Sequence, residues 1–394
     1  MLSQIAAVAG TSLRSLPARW GASLVVVVGI AGVVGVMVSI LAMADGFRTV
    51  FTQAGRADRV IVMRGGDDNG MSSALTRDQL PTVLSAPGFA RGADGKPLAS
   101  PTKFMTSALI DRKTGDEVNV LLRGVGGPAR QVWPEIRVVE GRWFSPGKRE
   151  LIAGRAAQRT FAGLELGRDV EMSNGPWTVV GVFEAPGTVY ESELWGDVEM
   201  VFAGYSITGQ FSSVVGLLES DAAYTALSDA ITTNPTLSHV VKREPEYYAT
   251  QTGILGSLML TLGYGVAGIM ALGALFSAVN TMHAAVKARS VEIATLRAIG
   301  FAGTPIVLSV LLESMVLCLL GALAGGVLAY LIFNGYTIST LAGQNFNQVA
   351  FAFKVTGALL LQGVVGSCLI GLLGGLAPAM RAARLPVAEA LRGA

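Results

Sequence analysis

The chain has 394 residues, 51% of them hydrophobic and only 15% charged, with a formal net charge of +2 and a mean hydropathy of +0.51. Soluble domains carry roughly 25% charged residues, so this composition excludes an ordinary soluble enzyme and points to a membrane protein. Many of the 49 glycines sit inside apolar runs, as close helix packing in lipid requires, and Cys318 and Cys368 also lie in apolar segments, which leaves neither a disulfide framework nor a zinc site.

Residues 1–20 carry Arg14 and Arg19 without an acid and are expected to be cytoplasmic. Residues 21–44 are uncharged. As a helix they would measure about 36 Å, enough to cross a hydrocarbon core of about 30 Å. Ala42-Met43-Ala44 has the small-x-small form of a signal-peptide cleavage site, but the apolar run is longer than the roughly 7–15 residues of such a leader. Phe47, Val50, Phe51 and Ala54 continue at i, i+3, i+4 and i+7, which predicts an uncut span prolonged as an amphipathic stalk.

Residues 45–250 hold 25 acidic against 21 basic groups, which places them outside, and they read as a mixed α/β domain with stalks. Strand-like runs are expected at Arg59 to Met63, Glu117 to Arg123, Ile136 to Val139, Leu151 to Ile152, Val170 to Met172, Trp177 to Phe183, Val198 to Phe202 and Ser213 to Leu218, with a turn at Asn174-Gly175-Pro176. Helices are expected at Ala156 to Phe161 and Asp221 to Thr232, and a loop with a short capped helix over Gly65 to Leu80. Asp67, Asp68 and Asn69 lack the spacing and distal Glu of a calcium loop and read as a solvated turn.

Three further spans follow, at 251–286, 301–333 and 355–377. The segment between the first two of these, 287–300, holds Lys287, Arg289 and Arg297 against Glu292, and the tail 378–394 holds Arg381, Arg384 and Arg392 against Glu389, so both are expected to be cytoplasmic. The 334–354 loop, with Lys354 its only charge, is expected outside. The fold class expected is four transmembrane α-helices arranged 1 + 3, with a large mixed α/β extracytoplasmic domain between the first and second. Both termini would face the cytoplasm of a bacterial inner membrane.

Motifs for chemistry are missing. Neither Gly-Lys pair continues as a phosphate-cradling loop, since Lys96 is followed by Pro97 and Lys148 by Arg149; there is no G-x-S-x-G and no H-E-x-x-H, and His239 and His283 are the only histidines. The chain is therefore not expected to be an enzyme or to bind a cofactor or metal itself. Glu313 is the one acid inside a span. An intramembrane acid suggests function, such as a proton relay, but no other span has an acidic or basic partner at depth, and reaching a polar partner near the cytoplasmic face is the favoured reading.

Within 287–300, Arg289 and Glu292 stand at i, i+3, while Ile293, Leu296 and Ile299 recur at threes and Gly300 supplies a stop. Spacing alone fits a short amphipathic helix or an ordinary charged turn equally well. The run R-S-V-E-I-A-T-L-R-A-I-G-F (289–301), with L-L-E-S (311–314) and G-A-L-A-G-G (321–326), closely resembles the MacB/FtsX-type permeases of ABC transporters. The ending P-A-M-R-A-A-R-L-P-V-A-E-A-L-R (378–392) is similar to that family's C-terminus, and V-V-E-G-R-W-F, L-G-R-D-V-E-M and W-T-V-V-G-V-F within 138–183 resemble its extracytoplasmic domain.

The resemblance implies that 287–300 is a coupling helix docking into an ATPase, with Arg289, Glu292, Ile293, Leu296, Arg297 and Gly300 as contacts, and that Glu313 matches a family feature. Many members carry the ATPase on the same polypeptide. Here no phosphate loop is present, so two copies of a separate ATPase would hold ATP and Mg. A second permease copy, identical or a close paralogue, would pair through small-residue faces at Gly371 to Gly375 or Gly321 to Gly325. Membrane lipid is a further partner, an adaptor and outer-membrane channel accompany some relatives, and nucleic acid is not a partner. The function implied is mechanotransmission that drives export or extraction of a lipoprotein, peptide, antibiotic or other amphiphile. The alternative is FtsX-like signalling to a cell-wall hydrolase.

Overall fold

A computed structural model describes residues 20–67, 70–172, 175–207, 209–342, 347–384 and 386. Arg14, Arg19, Asp68, Asn69, Asn174, Glu389 and Arg392 lie outside the described residues. In chain order the elements are α1 (Trp20–Ala54), β1 (Arg59–Arg64), β2 (Leu75–Thr76), α2 (Leu80–Ser85), β3 (Ala99–Ile110), β4 (Glu117–Val125), α3 (Ala129–Val132), β5 (Arg137–Gly141), β6 (Glu150–Gly154), α4 (Arg155–Thr160), β7 (Asp169–Met172) and β8 (Gly175–Glu184). A 3-10 turn, Val189–Ser192, leads into β9 (Glu193–Asp197), α5 (Val198–Gly204), β10 (Gln210–Phe211), β11 (Ser213–Leu217), α6 (Ala223–Thr232) and β12 (His239–Arg243). The chain continues through α7 (Glu244–Ala288), α8 (Ser290–Ala298), α9 (Gly303–Phe333), β13 (Thr337–Ala342), β14 (Asn347–Ala352) and α10 (Gly357–Arg384).

Two compact units result, a helical one (Met1–Asp45, Leu258–Tyr336, Phe353–Ala394) and an α/β one (Gly46–Ser257, Thr337–Ala352). Among the described residues, four helices are long and apolar enough to cross a membrane, over Ser23–Ala54, Gly256–Ala288, Gly303–Phe333 and Gly357–Arg384. The mixed α/β domain falls between the first and second, as the sequence predicts.

In the helical unit, glycines set how closely the helices approach. A Cβ at Gly325 would lie 2.3 Å from the Ala31 carbonyl oxygen, and one at Gly321 2.7 Å from Ile30 Cβ, so α9 packs directly on α1 at these points. Gly371 lies against Cys318, Gly374 against Ala278 and Gly375 against Ser314, whose hydroxyl donates to the Gly371 carbonyl over 2.8 Å. These contacts correct the expectation for dimerisation: both small-residue faces are consumed by packing within one chain. The apolar surface left exposed is made instead of large residues such as Ile269, Phe276 and Leu331. The fourth span also runs further than expected, through Pro378 to Arg384. Its last turns bury Pro378, Ala379 and Ala382, and this packing outweighs the local preference of Pro to end a helix.

The α/β unit is built on a 10-stranded sheet of order β12-β1-β11-β3-β4-β9-β6-β8-β5, with β7 added on β8. β4 pairs with β9 and β6 with β8 in parallel; the other pairs are antiparallel. Leu227 and Ile231, one helical turn apart on α6, bury into one apolar cluster with Val60, Val62 and Val214. A second cluster gathers Leu122, Leu151, Trp177 and Val179 under α4 and α5.

The run Val198 to Phe202, expected as a strand, is the helix α5, because the Asp197 carboxylate accepts from the Glu199 and Met200 N–H groups and caps it. A five-residue apolar run carries no period long enough to separate strand from helix. Strands β3, β9 and β12 lack a strand signal in the sequence: β3 interleaves Ser, Thr, Pro and a Lys with its apolar residues, yet it lies between β11 and β4 because those neighbours pair with it. The expected 334–354 loop contains the hairpin β13–β14.

Candidate functional site

α7 ends at Ala288, and Arg289, at φ −108° and ψ 15°, breaks the path before α8 begins. Glu292 occupies the first turn of α8 and Arg297 the last, each favourably placed for the helix dipole. The end is fixed by backbone geometry. Gly300 adopts φ +101°, its N–H donates to the Arg297 carbonyl over 3.1 Å, and the Phe301 N–H donates to the Leu296 carbonyl over 3.1 Å. This pair of bonds closes the helix with a left-handed residue that favours glycine. The charged segment is thus a helix, which resolves the ambiguity left by spacing.

Both ends of α8 are fastened to spans. Arg289 donates Nε to Glu292 over 3.0 Å and Nη1 to Glu313 on α9 over 3.4 Å, and the Glu313 side chain is only 6% exposed. The intramembrane acid therefore has a cationic partner supplied from the segment just before α8. Beside this pair lies a cavity of about 10 Å³, lined by Met282, Ala285, Val286, Ile293 and Val310 besides the pair, room for about one water. At the other end, Arg297 Nη1 donates over 2.8 Å to the Ala383 carbonyl, near the C-terminus of α10. Its cation there meets the negative end of the α10 dipole.

The six residues expected to contact an ATPase do not share one face. Arg289 and Ile293 point into the helical unit, Leu296 and Arg297 are half-buried, and Glu292 and Gly300 are exposed. The outward face adds Val291 and Ile299, the latter 72% exposed; recurrence at threes groups Ile299 with Ile293 and Leu296, but Ile293 is buried and Ile299 is not. Taking Ile293 and Ala294 as the inward line would have found Val291 and Ile299, since residues about half a turn away face the opposite side.

A second polar constellation lies in the α/β unit, where α1 ends and α7 begins. The fully buried Arg59 donates Nη2 to the Ala54 carbonyl at the end of α1 over 2.9 Å and Nε to Glu244, the first residue of α7. Tyr190 in the 3-10 turn donates to Glu244 over 2.8 Å and accepts from Tyr248 over 3.1 Å. Gly55 allows the close passage: a Cβ there would lie 2.8 Å from Pro245 Cα. Burial pushes the Glu244 carboxyl up, opposed by Arg59, while burial also raises the Tyr190 hydroxyl. Burial works against the Arg59 charge, but the carboxylates of Glu244 and Glu135 beside it more than restore it, and the guanidinium stays protonated. No sequence motif marks this joint, because its members lie far apart in the chain.

Four apolar spans, with a mixed α/β domain between the first and second in chain order and a short fastened helix between the second and third, define a multi-pass membrane protein. Residues 23–234 match the MacB-like periplasmic core domain and residues 264–387 the FtsX-like permease C-terminal domain. The chain belongs to the MacB/FtsX family of ABC transporter permeases and is an inner-membrane protein. It is 24% identical to the ABC transporter permease YknZ of Bacillus subtilis (strain 168), over 97% of each chain. It is also 24% identical to a macrolide export ATP-binding/permease protein MacB 1/2 of Paracoccus denitrificans, over 100% of this chain and 59% of that one. The MacB of Hahella chejuensis is 27% identical over 57% of this chain and 35% of that one. The chain thus spans almost all of YknZ, but between about a third and three fifths of these two MacB relatives. Among solved structures, the YknZ extracellular domain aligns at TM-score 0.36 and 17% identity, covering 47% of this chain and 99% of that one. The MacB periplasmic region of Actinobacillus actinomycetemcomitans aligns at TM-score 0.37 and 12% identity, covering 48% and 90%.

Proposed function

We propose that this permease couples ATP hydrolysis by a separate ATPase, present in two copies, to movement of its α/β unit outside the membrane, and so drives export or extraction of an amphiphilic substrate such as a lipoprotein, peptide or antibiotic. The observation that carries this reading is α8, which offers an outward face of Val291, Glu292, Ile299 and Gly300 while Arg289–Glu313 and Arg297–Ala383 fasten it to α9 and α10. An exposed apolar pair beside a charge suits a protein interface, and a helix fastened at both ends passes on a push it receives. Two helices that run unbroken over Trp20–Ala54 and Glu244–Ala288 supply the levers.

Glu292→Lys combined with Ile299→Asp is expected to weaken ATPase binding about tenfold or more, as the loss of an interface anchor does. Thermal unfolding of the permease should barely change, because both positions are exposed. Co-purification and ATPase turnover of the double variant measure this, and association at the unmodified level would remove α8 from the interface.

Orientation follows the basic residues. In a background of Cys318→Ala and Cys368→Ala, Ser220→Cys in the α/β unit should react with a membrane-impermeant maleimide in cells with a permeabilised outer membrane, whereas Thr295→Cys on α8 should be protected. Both positions are exposed on the protein, so access across the membrane decides the result. Labelling of Thr295→Cys from outside would invert the protein and remove the docking role of α8.

A further inference from the structure

The hairpin β13–β14 joins α9 to α10, yet it packs as part of the α/β unit. The Ala350 N–H donates to the Ser192 hydroxyl over 2.9 Å, and the buried Phe351 meets Phe47 of α1 edge-on at 5.5 Å between ring centroids. Backbone approaches backbone beside it: a Cβ at Gly46 would lie 2.2 Å from the Ala352 carbonyl oxygen. Ser192 closes the same 3-10 turn whose Tyr190 bonds Glu244 and Tyr248 of α7 and, through Arg59, the end of α1. Three attachments therefore meet at Val189–Ser192: the C-terminal end of α1, the N-terminal end of α7, and the hairpin.

The hairpin has little slack at its feet. Only Asn334, Gly335 and Tyr336 separate α9 from β13, and this stretch is zipped to the return strand. Gly335 donates to the Phe353 carbonyl over 3.0 Å, Phe353 donates to the Tyr336 carbonyl over 3.0 Å, and the Asn334 side chain accepts from the Val355 N–H over 3.2 Å. The rings of Phe333 and Phe353 stack at 5.7 Å. At their other ends α9 and α10 hold α8 through Glu313 and the Ala383 carbonyl, and the glycines Gly371 and Gly375 lock the two spans together. Close packing of this kind transmits displacement instead of absorbing it.

We propose that the β13–β14 hairpin is a strap that makes the α9–α10 pair a third line of transmission from α8, converging with both stalk helices on the Val189–Ser192 turn. The inference rests on the mechanotransmission reading above and adds to it a path that does not run through α1 or α7. A hairpin that only covered the apolar side of α1 would leave nucleotide-driven movement at the turn unaltered when its bond to the turn is cut.

The test uses the full chain with its cognate ATPase in lipid nanodiscs, and reads hydrogen exchange over 186–193 and over 46–54 with and without ATP–vanadate trapping. In one variant a Gly-Ser linker of equal length replaces 337–352; in a second, Ser192→Ala removes only the acceptor of the Ala350 N–H and serves if the first misfolds. ATPase turnover should persist in both. The nucleotide-dependent change over 186–193 should be reduced in both variants, more with the linker than with Ser192→Ala, while that over 46–54 remains. An unaltered change over 186–193 in a folded, ATPase-active variant overturns the strap alone. A complex of the unmodified chain that shows no nucleotide-dependent change anywhere in the α/β unit overturns mechanotransmission and the strap with it.

Discussion

A short run of glycines inserted after Thr52 is expected to cut transport sharply while ATP hydrolysis continues. α1 is continuous over Trp20–Ala54, and Thr52 lies one turn past Arg48, whose carbonyl accepts from the Thr52 hydroxyl over 3.0 Å. Each inserted glycine costs about 1 kcal/mol relative to Ala in a helix, so a few break the rod at that point. The break separates Phe47, Val50 and Phe51 from Ala54, whose carbonyl Arg59 holds. It leaves α8 and its outward face intact. Complementation of a strain lacking the gene and ATPase turnover of the reconstituted complex, measured on one variant, divide the two activities. Full complementation with the flexible break in place would mean that α1 transmits nothing.

The second large effect is on stability. Arg123 and Glu193 form a doubly hydrogen-bonded pair, both bonds 2.6 Å, with the side chains 5% and 2% exposed. The guanidinium also lies 4.4 Å from the Phe104 ring centroid and 5.2 Å from that of Trp195, while Trp195 donates its indole N–H to Glu193 over 2.8 Å. Burial works against the Arg123 charge, and Glu193 more than restores it. Glu193→Gln should therefore strand a buried cation and destabilise the α/β unit by about 3–5 kcal/mol. For a unit of this size that corresponds to a fall in Tm of roughly 10 °C. Adding Arg123→Met to Glu193→Met removes both charges and should recover most of the loss. Intrinsic fluorescence of the full chain reports the transition, because Trp133, Trp143, Trp177 and Trp195 all lie in this unit and only Trp20 lies elsewhere. A Glu193→Gln variant that melts with the unmodified chain would show that the pair contributes nothing net.

Much of the molecule was legible from sequence because the relevant signals are local. Charge-free runs beyond twenty residues can hardly be anything but spans in a chain this apolar, and the positions of Phe47, Val50, Phe51 and Ala54 carried the first helix past the membrane, where all four are buried. Gly300 marked the end of α8 because a closing residue at positive φ is a property of the backbone itself.

What the sequence could not supply is which residues meet across the chain. The partner of Glu313 is Arg289, brought back by the turn between α7 and α8. Gly321, Gly325, Gly371 and Gly375 read as dimer faces because small residues in a span announce close approach without naming the helix that approaches. Strand β3 exists because β11 and β4 pair with it on either side, and the hairpin's docking, like the joint of Arg59, Glu244 and Tyr190, depends on residues more than fifty positions apart. The four spans, the α/β domain between the first two and the helix stop at Gly300 are local properties, since apolar length, alternation and backbone conformation are encoded within a few consecutive residues. Which faces are spent on internal packing, which charges pair and which face of α8 stays open depend instead on burial, and burial is created by distant parts of the chain arriving at the same place.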